Sequence, residues 1–180
     1  MLTDYFAKMK GTTKSPPCVG ASEIVWSWIG AFLGIGVVAF ANFHLFQKQD
    51  VLLIIGSFGA SAVLIYGAIK SPLAQPRNLI GGHVLSAIVG VAAYQLFYPQ
   101  IWLAAAAAVA TAIALMHATK TLHPPGGATA LIAVIGGGKV HALGFLYAII
   151  PAGGGALIML LIALIVNNIP KSRRYPEFWF

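Results

Sequence analysis

Six apolar stretches, separated by short polar or glycine-rich turns, constrain the fold of this chain more than any other feature. They extend approximately over 24–43, 51–69, 79–97, 101–116, 124–135 and 140–166. About 20 apolar residues suffice for an α-helix to cross the hydrocarbon core of a bilayer. With 59% hydrophobic and 8% charged residues, the chain also lies outside the composition of soluble domains. The sequence therefore predicts an all-α fold, a polytopic membrane helix bundle.

Two of the six segments do not have the form of a simple span. The fifth follows the turn Leu122-His123-Pro124-Pro125 and has about 12 residues, roughly 18 Å of helix against a hydrocarbon core of roughly 30 Å. Proline is tolerated in a first helical turn because its amide would lack an intrahelical partner there. The second segment is interrupted by Gly56-Ser57-Phe58-Gly59, which needs cover from protein or a water-filled cavity. We expect both helix starts to lie at depth in the membrane.

These two segments share a sequence pattern. Gly59-Ala60-Ser61-Ala62 matches Gly127-Ala128-Thr129-Ala130 at a constant offset of 68 residues. Three crossings in each half would make the halves enter from opposite sides, as in the inverted repeats of many carriers. The prediction is a 3+3 inverted repeat whose two broken segments direct their helix starts toward one midplane site. The alternative is that the pattern is only a small-residue packing motif.

The distribution of lysine and arginine favours six crossings. Six crossings place nine basic residues on one side and two on the other, whereas four crossings with two re-entrant segments split them six and five. Because basic residues collect on the cytoplasmic side, the prediction is six crossings with both termini in the cytoplasm. Residues 1–22 are expected to form an interfacial segment, 23–169 the membrane domain, and 170–180 a basic and aromatic tail.

The polar composition excludes several classes of function. The four acidic residues all lie in tails or at span ends: Asp4, Glu23, Asp50 and Glu177. Sodium and proton carriers, and most hydrolases, need a buried carboxylate for the cation or for acid/base work, whereas a histidine could supply a proton that accompanies an anion. The net charge of +7 does not indicate a nucleic-acid partner, because the basic residues are scattered and form no stripe. A single cysteine, Cys18, and the histidines His117 and His123 without a third ligand predict no metal site, and no cofactor is predicted.

Three motifs together resemble the HPP family of integral membrane proteins. They are the His123-Pro124-Pro125-Gly126-Gly127 stretch, the 56–62 segment, and Ser71-Pro72-Leu73-Ala74-Gln75-Pro76-Arg77-Asn78 followed by Gly81-Gly82-His83. The resemblance extends from about Trp26 to Val166. It implies a small polytopic protein of bacterial and plastid membranes in a family linked to nitrite transport. The family is usually described with four transmembrane helices, whereas the sequence here shows six segments.

The two helix starts form the candidate site. A small planar anion such as nitrite offers only hydrogen-bond acceptors, and a helix start offers free N–H groups and the positive end of the helix dipole. The predicted substrate-binding residues are the amides and hydroxyls at the two starts, with polar residues near the third span. They are Ser57, Gly59, Ala60, Ser61, Arg77, Asn78, His83, His123, Gly126, Gly127, Ala128 and Thr129.

Several of these residues have a second interpretation. His123 either donates to the anion or carries a proton with it, or it hydrogen-bonds a turn carbonyl and fixes the Pro-Pro turn. Arg77 either binds the anion at the cytoplasmic mouth or only follows the positive-inside rule. His83 either faces a cavity beside Asn78 or is packed with its hydrogen bonds satisfied. The small residues and hydroxyls of the repeat either contact the anion or only pack.

The leading hypothesis is transport of a small monovalent anion, with nitrite as the first candidate, by an integral protein of a bacterial inner (plasma) membrane. A non-transporting membrane scaffold or assembly protein is the alternative, and it predicts no polar cavity between the broken segments. An intramembrane enzyme using His123 would lack a carboxylate partner and any nucleophile motif. The lipid bilayer and the anion are the expected partners. The GxxxG pattern Gly30–Gly34 marks close helix approach, either inside the bundle or in a homodimer.

Overall fold

The structure is a computed structural model that describes residues 2–46 and 52–180, and within these ranges all regular secondary structure is helical. The helices are α1 (Leu2–Ala7), α2 (Ala21–Phe40), α3 (Ser57–Ala62), α4 (Pro76–Phe97), α5 (Ile101–Ala118), α6 (Pro124–Ile135), α7 (Gly138–Leu143) and α8 (Gly154–Val166). π-Helical turns extend α2 over Ala41–Phe46 and α3 over Val63–Gly67, and a kinked π-helical segment, Ala148–Gly153, precedes α8. A short 3₁₀ turn, Pro72–Ala74, precedes α4.

Four helices in the described residues are long and apolar enough to cross a membrane, by length and composition. They are Ala21–Leu45, Pro76–Phe97, Ile101–Ala118 and Ala148–Val166. Two shorter apolar helices, Ser57–Gly67 and Pro124–Ile135, correspond to the segments predicted to be broken and short. The all-α membrane bundle is confirmed, and the predicted bounds of the fifth segment, 124–135, are those of α6.

The sixth segment differs from its predicted continuous course over 140–166. Gly144 has a positive φ of 50° after α7, a conformation that favours glycine and ends the helix. Ile150 is then extended, with φ −134° and ψ 119°, just before Pro151. Proline disfavours helical geometry in the residue before it and has no N–H to donate. The candidate membrane span is therefore Ala148–Val166, and the break at Ile150 lies near its start.

The break in the second segment also lies earlier than predicted. The chain over 52–56 is not helical, and Gly59 lies inside α3. The side-chain oxygen of buried Asn42 accepts hydrogen bonds from the amides of Leu53 and Ile54 at 2.8 and 3.2 Å. Because an unpaired buried amide costs about 1–3 kcal/mol, this one side chain makes the irregular backbone tolerable among apolar helices.

α4 is the central helix of the bundle. It packs against α5 and α6, which also pack against each other, while α2 packs against α8 and α3 packs against α6. The GxxxG glycines of α2 face the buried ring of Tyr66, and a Cβ built on Gly30 would lie 2.6 Å from Tyr66 Cδ1. The Tyr66 hydroxyl in turn donates to the Met159 carbonyl at 3.0 Å. This GxxxG therefore makes a contact inside the bundle.

The C-terminal tail folds back over one end of the bundle. The buried guanidinium of Arg173 donates to the carboxylate of Glu23 at the start of α2 and to the side chain of Asn167. Burial raises the pKa of Tyr175 above its ordinary value, so its phenol stays protonated, and it donates to the Ala74 carbonyl at 2.7 Å. We call this end, formed by the start of α2, the 67–75 connection and the 167–177 tail, the tail end of the bundle.

Candidate functional site

Five polar side chains come together in the interior where α3, α4 and α6 meet. They are Ser57, Ser61, His83, His123 and Thr129, and none is more than 2% exposed. We call them the polar cluster. Ionisable and hydroxyl side chains buried among membrane helices are costly unless hydrogen-bonded, and they usually mark a functional site.

Local structure directs these side chains to one place. Ser57 and Ser61 lie four residues apart on α3 and therefore share a face of that helix. His123 precedes two prolines and adopts the extended backbone that a following proline favours, with φ −142° and ψ 103°. Gly82 lets the His123 segment approach α4, because a Cβ on Gly82 would lie 2.5 Å from His123 Cβ. A Cβ on Gly126 would lie 2.8 Å from the Gly82 carbonyl oxygen.

Ser61 bridges the two histidines. Its hydroxyl oxygen lies 2.7 Å from Nε2 of His83 and 2.9 Å from Nε2 of His123. The two imidazole rings are edge to face, with centroids 5.0 Å apart. A single hydroxyl thus connects two titratable groups that are far apart in the sequence.

The other nitrogens of the two rings extend this chain of hydrogen bonds in both directions. Nδ1 of His83 lies 2.7 Å from the hydroxyl oxygen of Thr129, which lies 2.8 Å from that of Ser57. Nδ1 of His123 lies 2.8 Å from the carbonyl oxygen of Leu73, in the 3₁₀ turn at the tail end. The polar cluster is therefore one continuous chain of hydrogen bonds from Leu73 to Ser57.

The polar cluster lies nearer the tail end than the opposite end of the bundle. His83 is the eighth residue of α4, which at about 1.5 Å per residue places it about 10 Å from the first residue and about 20 Å from the last. The short 119–123 turn returns the chain directly from α5 into α6, so α6 begins at that depth. The polar cluster therefore lies closer to the tail end along α4 than the midplane position expected from the sequence.

The backbone amides at the two helix starts have a different arrangement from the one expected. The Gly59 amide donates to the Gly56 carbonyl at 3.2 Å, and the Gly126 amide donates to the His123 carbonyl at 2.7 Å. Pro124 has no N–H, and neither has the proline that follows it. Each start therefore closes its own first turn, and the chemistry that the structure brings together is carried by side chains.

Small residues of the repeat lie outside the polar cluster. Gly59 and Ala60 are exposed on the side of α3 away from Ser61, and Gly127 and Ala128 are half-buried on α6. The alanine after the hydroxyl, Ala62 or Ala130, is buried in the apolar core, and only the hydroxyl position of each repeat joins the polar cluster. It is Ser61 in the first repeat, and Thr129 at the matching position of the second.

Asn78 and Arg77 lie beside the polar cluster, at the start of α4. The Asn78 amide donates to the carbonyl of Leu122 at 2.8 Å, one residue before His123, and its oxygen has no hydrogen-bond partner among the described residues. The Arg77 guanidinium carbon lies 6.0 Å above the ring centre of Phe178 in the tail. Both residues are near the tail-end approach to His123 and make no hydrogen bond to the five cluster side chains in the described structure.

Two contributors to the site were missed from sequence. The Leu73 carbonyl accepts a hydrogen bond from His123, and a pattern of side chains in the sequence cannot predict a backbone acceptor. Tyr147 donates its hydroxyl hydrogen to the Thr129 carbonyl at 3.2 Å, against the helix turn that carries the cluster. A buried tyrosine normally has a hydrogen-bond partner, and that was the available signal for Tyr147.

A cleft of about 470 Å³ opens at the tail end. It is lined by Glu23, Gly67, Ala68, Ile69, Lys70, Ser71, Ser172 and Arg173. Two of these residues are basic, and Ser71 lies two residues before Leu73 in the chain. The side chains of the polar cluster do not line this cleft. The loop that carries Leu73 lies between the cleft and the cluster.

Comparison with known proteins identifies the family. Residues 16–176 match the family described as HPP, transmembrane region, which confirms the resemblance seen in the motifs. Two transmembrane proteins of Dictyostelium discoideum are 50% identical over 179 residues and 48% identical over 184 residues. The matches cover 98% and 99% of this chain but 57% and 64% of those relatives, so the chain spans less than two thirds of their length. No solved structure gives a significant match.

Proposed function

We propose that this chain, which belongs to the HPP family of transmembrane proteins, carries a small monovalent anion across the membrane, with nitrite as the first candidate. The observation that supports transport is the polar cluster, two imidazoles and three hydroxyls buried between two short helices. Nitrite as the substrate comes from the family resemblance. We place the protein in a bacterial inner (plasma) membrane, as that resemblance implies.

The chemistry of the polar cluster suits an anion better than a cation. Hydroxyls and imidazole N–H groups donate hydrogen bonds, and a protonated imidazole adds a positive charge. No acidic side chain in the described residues is hydrogen-bonded to the cluster, and Glu23 pairs with Arg173 instead. An anion would bind by replacing internal hydrogen bonds of Ser57, Ser61 and Thr129 with bonds to its own oxygens.

The membrane potential explains why titratable groups belong in such a site. A negative interior opposes uptake of an anion by about 2.3 kcal/mol per charge for each 100 mV. An anion that moves together with one proton carries no net charge and avoids this cost. His83 and His123 are the groups within the polar cluster that can supply the proton.

We further propose six crossings arranged as a 3+3 inverted repeat. Asn167, at the end of α8, donates to the Ile65 carbonyl at 2.8 Å, and the Glu177 amide donates to the Gln75 side chain at 2.9 Å. These contacts join the end of the second segment to the C-terminal tail. The non-helical run 52–56 and the helix 57–67 together cover about 30 Å, at about 3.3 Å and 1.5 Å per residue. That length suffices for a crossing.

The helix pairing supports the same proposal. If a two-fold axis relates the halves, the contact between α2 and α8 corresponds to the contact between α5 and α4. The two short helices, α3 and α6, also pack on each other, as such an axis requires. With six crossings, nine of the eleven lysines and arginines lie on the side of the tail end and two lie on the opposite side. Both termini are therefore proposed to be cytoplasmic.

Flux measurements in liposomes test the proposal. Purified protein in liposomes should take up nitrite faster than protein-free liposomes do, with formate, nitrate and chloride as competitors. Thr129→Val removes a cluster hydroxyl while keeping the side-chain shape, and we expect it to lower nitrite flux about tenfold or more.

Thr111→Val is the matched control, because Thr111 is exposed on α5. It should leave the flux within about twofold of the parent rate. A well-folded parent protein that moves none of the four anions above the protein-free rate would overturn the proposal and favour a membrane scaffold.

A further inference from the structure

One backbone contact determines the direction of hydrogen bonding through the polar cluster. The Leu73 carbonyl only accepts hydrogen bonds, so Nδ1 of His123 must carry the hydrogen of their 2.8 Å contact. In a neutral imidazole the second nitrogen is then an acceptor. The Ser61 hydroxyl must therefore donate to Nε2 of His123.

The rest of the chain follows from the single hydrogen of each hydroxyl. Since Ser61 uses its hydrogen on His123, Nε2 of His83 must donate to the Ser61 oxygen. Nδ1 of His83 is then an acceptor and takes its hydrogen from Thr129. With both rings neutral, the two histidines are therefore held in opposite tautomers.

One extra proton reverses the three hydrogen bonds between His123 and Thr129, while the contact to Leu73 keeps its direction. If His123 is cationic, its Nε2 donates to Ser61, and the Ser61 hydroxyl donates to Nε2 of His83. Nδ1 of His83 then donates to Thr129, which donates to Ser57. Ser61 and both imidazoles keep all their partners in the two states, which is the property of a relay that passes protons by exchange along a chain.

We infer that the polar cluster contains a one-proton relay that runs from Thr129 to His123 and supplies the proton that travels with the anion. This inference rests on the proposed function, and it identifies H⁺ as the second substrate of the same site. A proton arriving at the Thr129 oxygen releases the Thr129 hydrogen to Nδ1 of His83. The Nε2 hydrogen of His83 passes to Ser61, whose hydrogen passes to Nε2 of His123.

Release of the proton follows the same path in reverse. The Nδ1 hydrogen of His123 stays in its hydrogen bond to the Leu73 carbonyl throughout, because its loss would leave two acceptors in contact. The Nε2 hydrogen of His123 returns to Ser61, the Ser61 hydrogen returns to Nε2 of His83, and the Nδ1 hydrogen of His83 returns to Thr129. The Thr129 hydrogen leaves to an oxygen of the anion, so one proton has entered, one has left, and the chain is back in its first direction. The Leu73 carbonyl thus fixes the direction of the neutral chain.

The surroundings of the two rings limit the relay to one proton. The ring centroids are 5.0 Å apart in an apolar interior, so two cationic imidazoles would repel each other strongly. The groups that face the rings are the edge-on ring of Phe58, the Tyr147 hydroxyl on the far side of Thr129, and Asn78 beside Leu122. Arg77 is the nearest described cation along α4, and no acidic side chain in the described residues is hydrogen-bonded to the chain.

The first test measures tautomers and does not depend on transport. In protein labelled with ¹⁵N-histidine in detergent, the neutral state should show His123 protonated on Nδ1 and His83 protonated on Nε2. When the pH is lowered from about 9 to about 4, one proton should be taken up, and the His83 signal should move to the Nδ1 tautomer in the same transition. Identical tautomers in the neutral state, or a His83 signal that stays unchanged, would overturn the relay.

The second test separates the relay from the proposed function. Ser61→Ala should uncouple the His83 and His123 transitions and slow proton uptake that accompanies nitrite in liposomes about tenfold or more. Ser61→Thr keeps the hydroxyl and should keep both properties. Ser86→Ala is the matched control, because Ser86 is equally buried and has only a 3.6 Å contact to Met116 sulfur.

The outcomes are distinguishable. Coupled tautomers without nitrite flux would keep the relay and overturn anion transport. Nitrite flux with uncoupled tautomers in the parent protein, or with proton uptake unaffected by Ser61→Ala, would keep transport and overturn the relay.

Discussion

Two glycines determine at the residue scale whether the polar cluster can form. A Cβ on Gly82 would lie 2.5 Å from His123 Cβ and 3.0 Å from the Thr121 carbonyl oxygen, and a Cβ on Gly126 would lie 2.8 Å from Ser86 Oγ. Neither glycine has a positive φ. Glycine is therefore needed at both positions because there is no room for a side chain, and not because of the backbone conformation. They bring the segment carrying His123 close enough to α4 for its ring to reach Ser61.

Gly82→Ala should therefore destabilise the protein by about 1–3 kcal/mol through overpacking, and nitrite flux should fall with it. Gly59→Ala is the matched control, since nothing lies within 4 Å of a Cβ at that exposed helical position. It should be neutral or stabilising by up to about 1 kcal/mol, because alanine favours a helix more than glycine does. Thermal unfolding in detergent measures both effects, and equal effects would contradict the role given to Gly82.

Residue-scale reasoning from sequence paired Ser61 with Thr129 and predicted free amides beside them. The offset of 68 residues relates these two hydroxyls, and both lie in the polar cluster. The amides predicted beside them are engaged, as the Gly126 amide is with the His123 carbonyl. Whether an amide at a helix start is free depends on how the first turn closes, and that is a property of the folded backbone.

The non-helical run 52–56 is the least regular element inside the bundle. Asn42, on the π-helical extension of α2, satisfies the amides of Leu53 and Ile54. α3 can begin at Ser57 only because the run before it is held in place. The start of α3 in turn positions Ser57 and Ser61 in the polar cluster.

Asn42→Leu keeps the approximate size but removes the acceptor, leaving two amides unpaired at about 1–3 kcal/mol each. We expect a lower unfolding temperature and faster hydrogen exchange at Leu53 and Ile54. Phe43→Leu, at the exposed neighbouring position, should change neither. Unchanged exchange at Leu53 and Ile54 in Asn42→Leu would show that Asn42 does not hold this run.

Local signals explain which elements were predictable. The bounds of α6 were predicted because two prolines mark its start and Gly136 follows its last residue, and both signals act within one turn. The interruption between α7 and α8 was missed because Gly144 lies in a continuous apolar run. Its positive φ is visible only in the folded chain.

The contacts of the tail end bring distant parts of the chain together at the scale of the whole molecule. Arg173 bonds to Glu23, and Tyr175 bonds to Ala74, so the start of α2, the second connection and the C-terminal tail share one end. A second segment that returned to its own side would separate Ala74 from the tail. These contacts and the distribution of the basic residues are the support for the proposed six crossings.

Cysteine labelling tests this arrangement. In a Cys18→Ser background, single cysteines at Ala68, Ala118 and Ser172 should react with a membrane-impermeant maleimide from the same side. A cysteine at Gly138 should react only from the opposite side. Four crossings predict instead that positions 68, 118 and 138 label together and that 172 labels alone. The parent Cys18, exposed before α2, is the control for the N-terminal side.

The sequence by itself determined that this protein is a helical membrane bundle with two short segments, because apolar length, proline and glycine act locally. It also related Ser61 to Thr129 through the repeat. Only the tertiary structure brought His83 and His123 to the same hydroxyl, across separations of 22 and 62 residues from Ser61. Hydrophobic pattern determines which side chains are buried, but the meeting of particular polar groups depends on how closely the helices pack, and here Gly82 and Gly126 permit that approach.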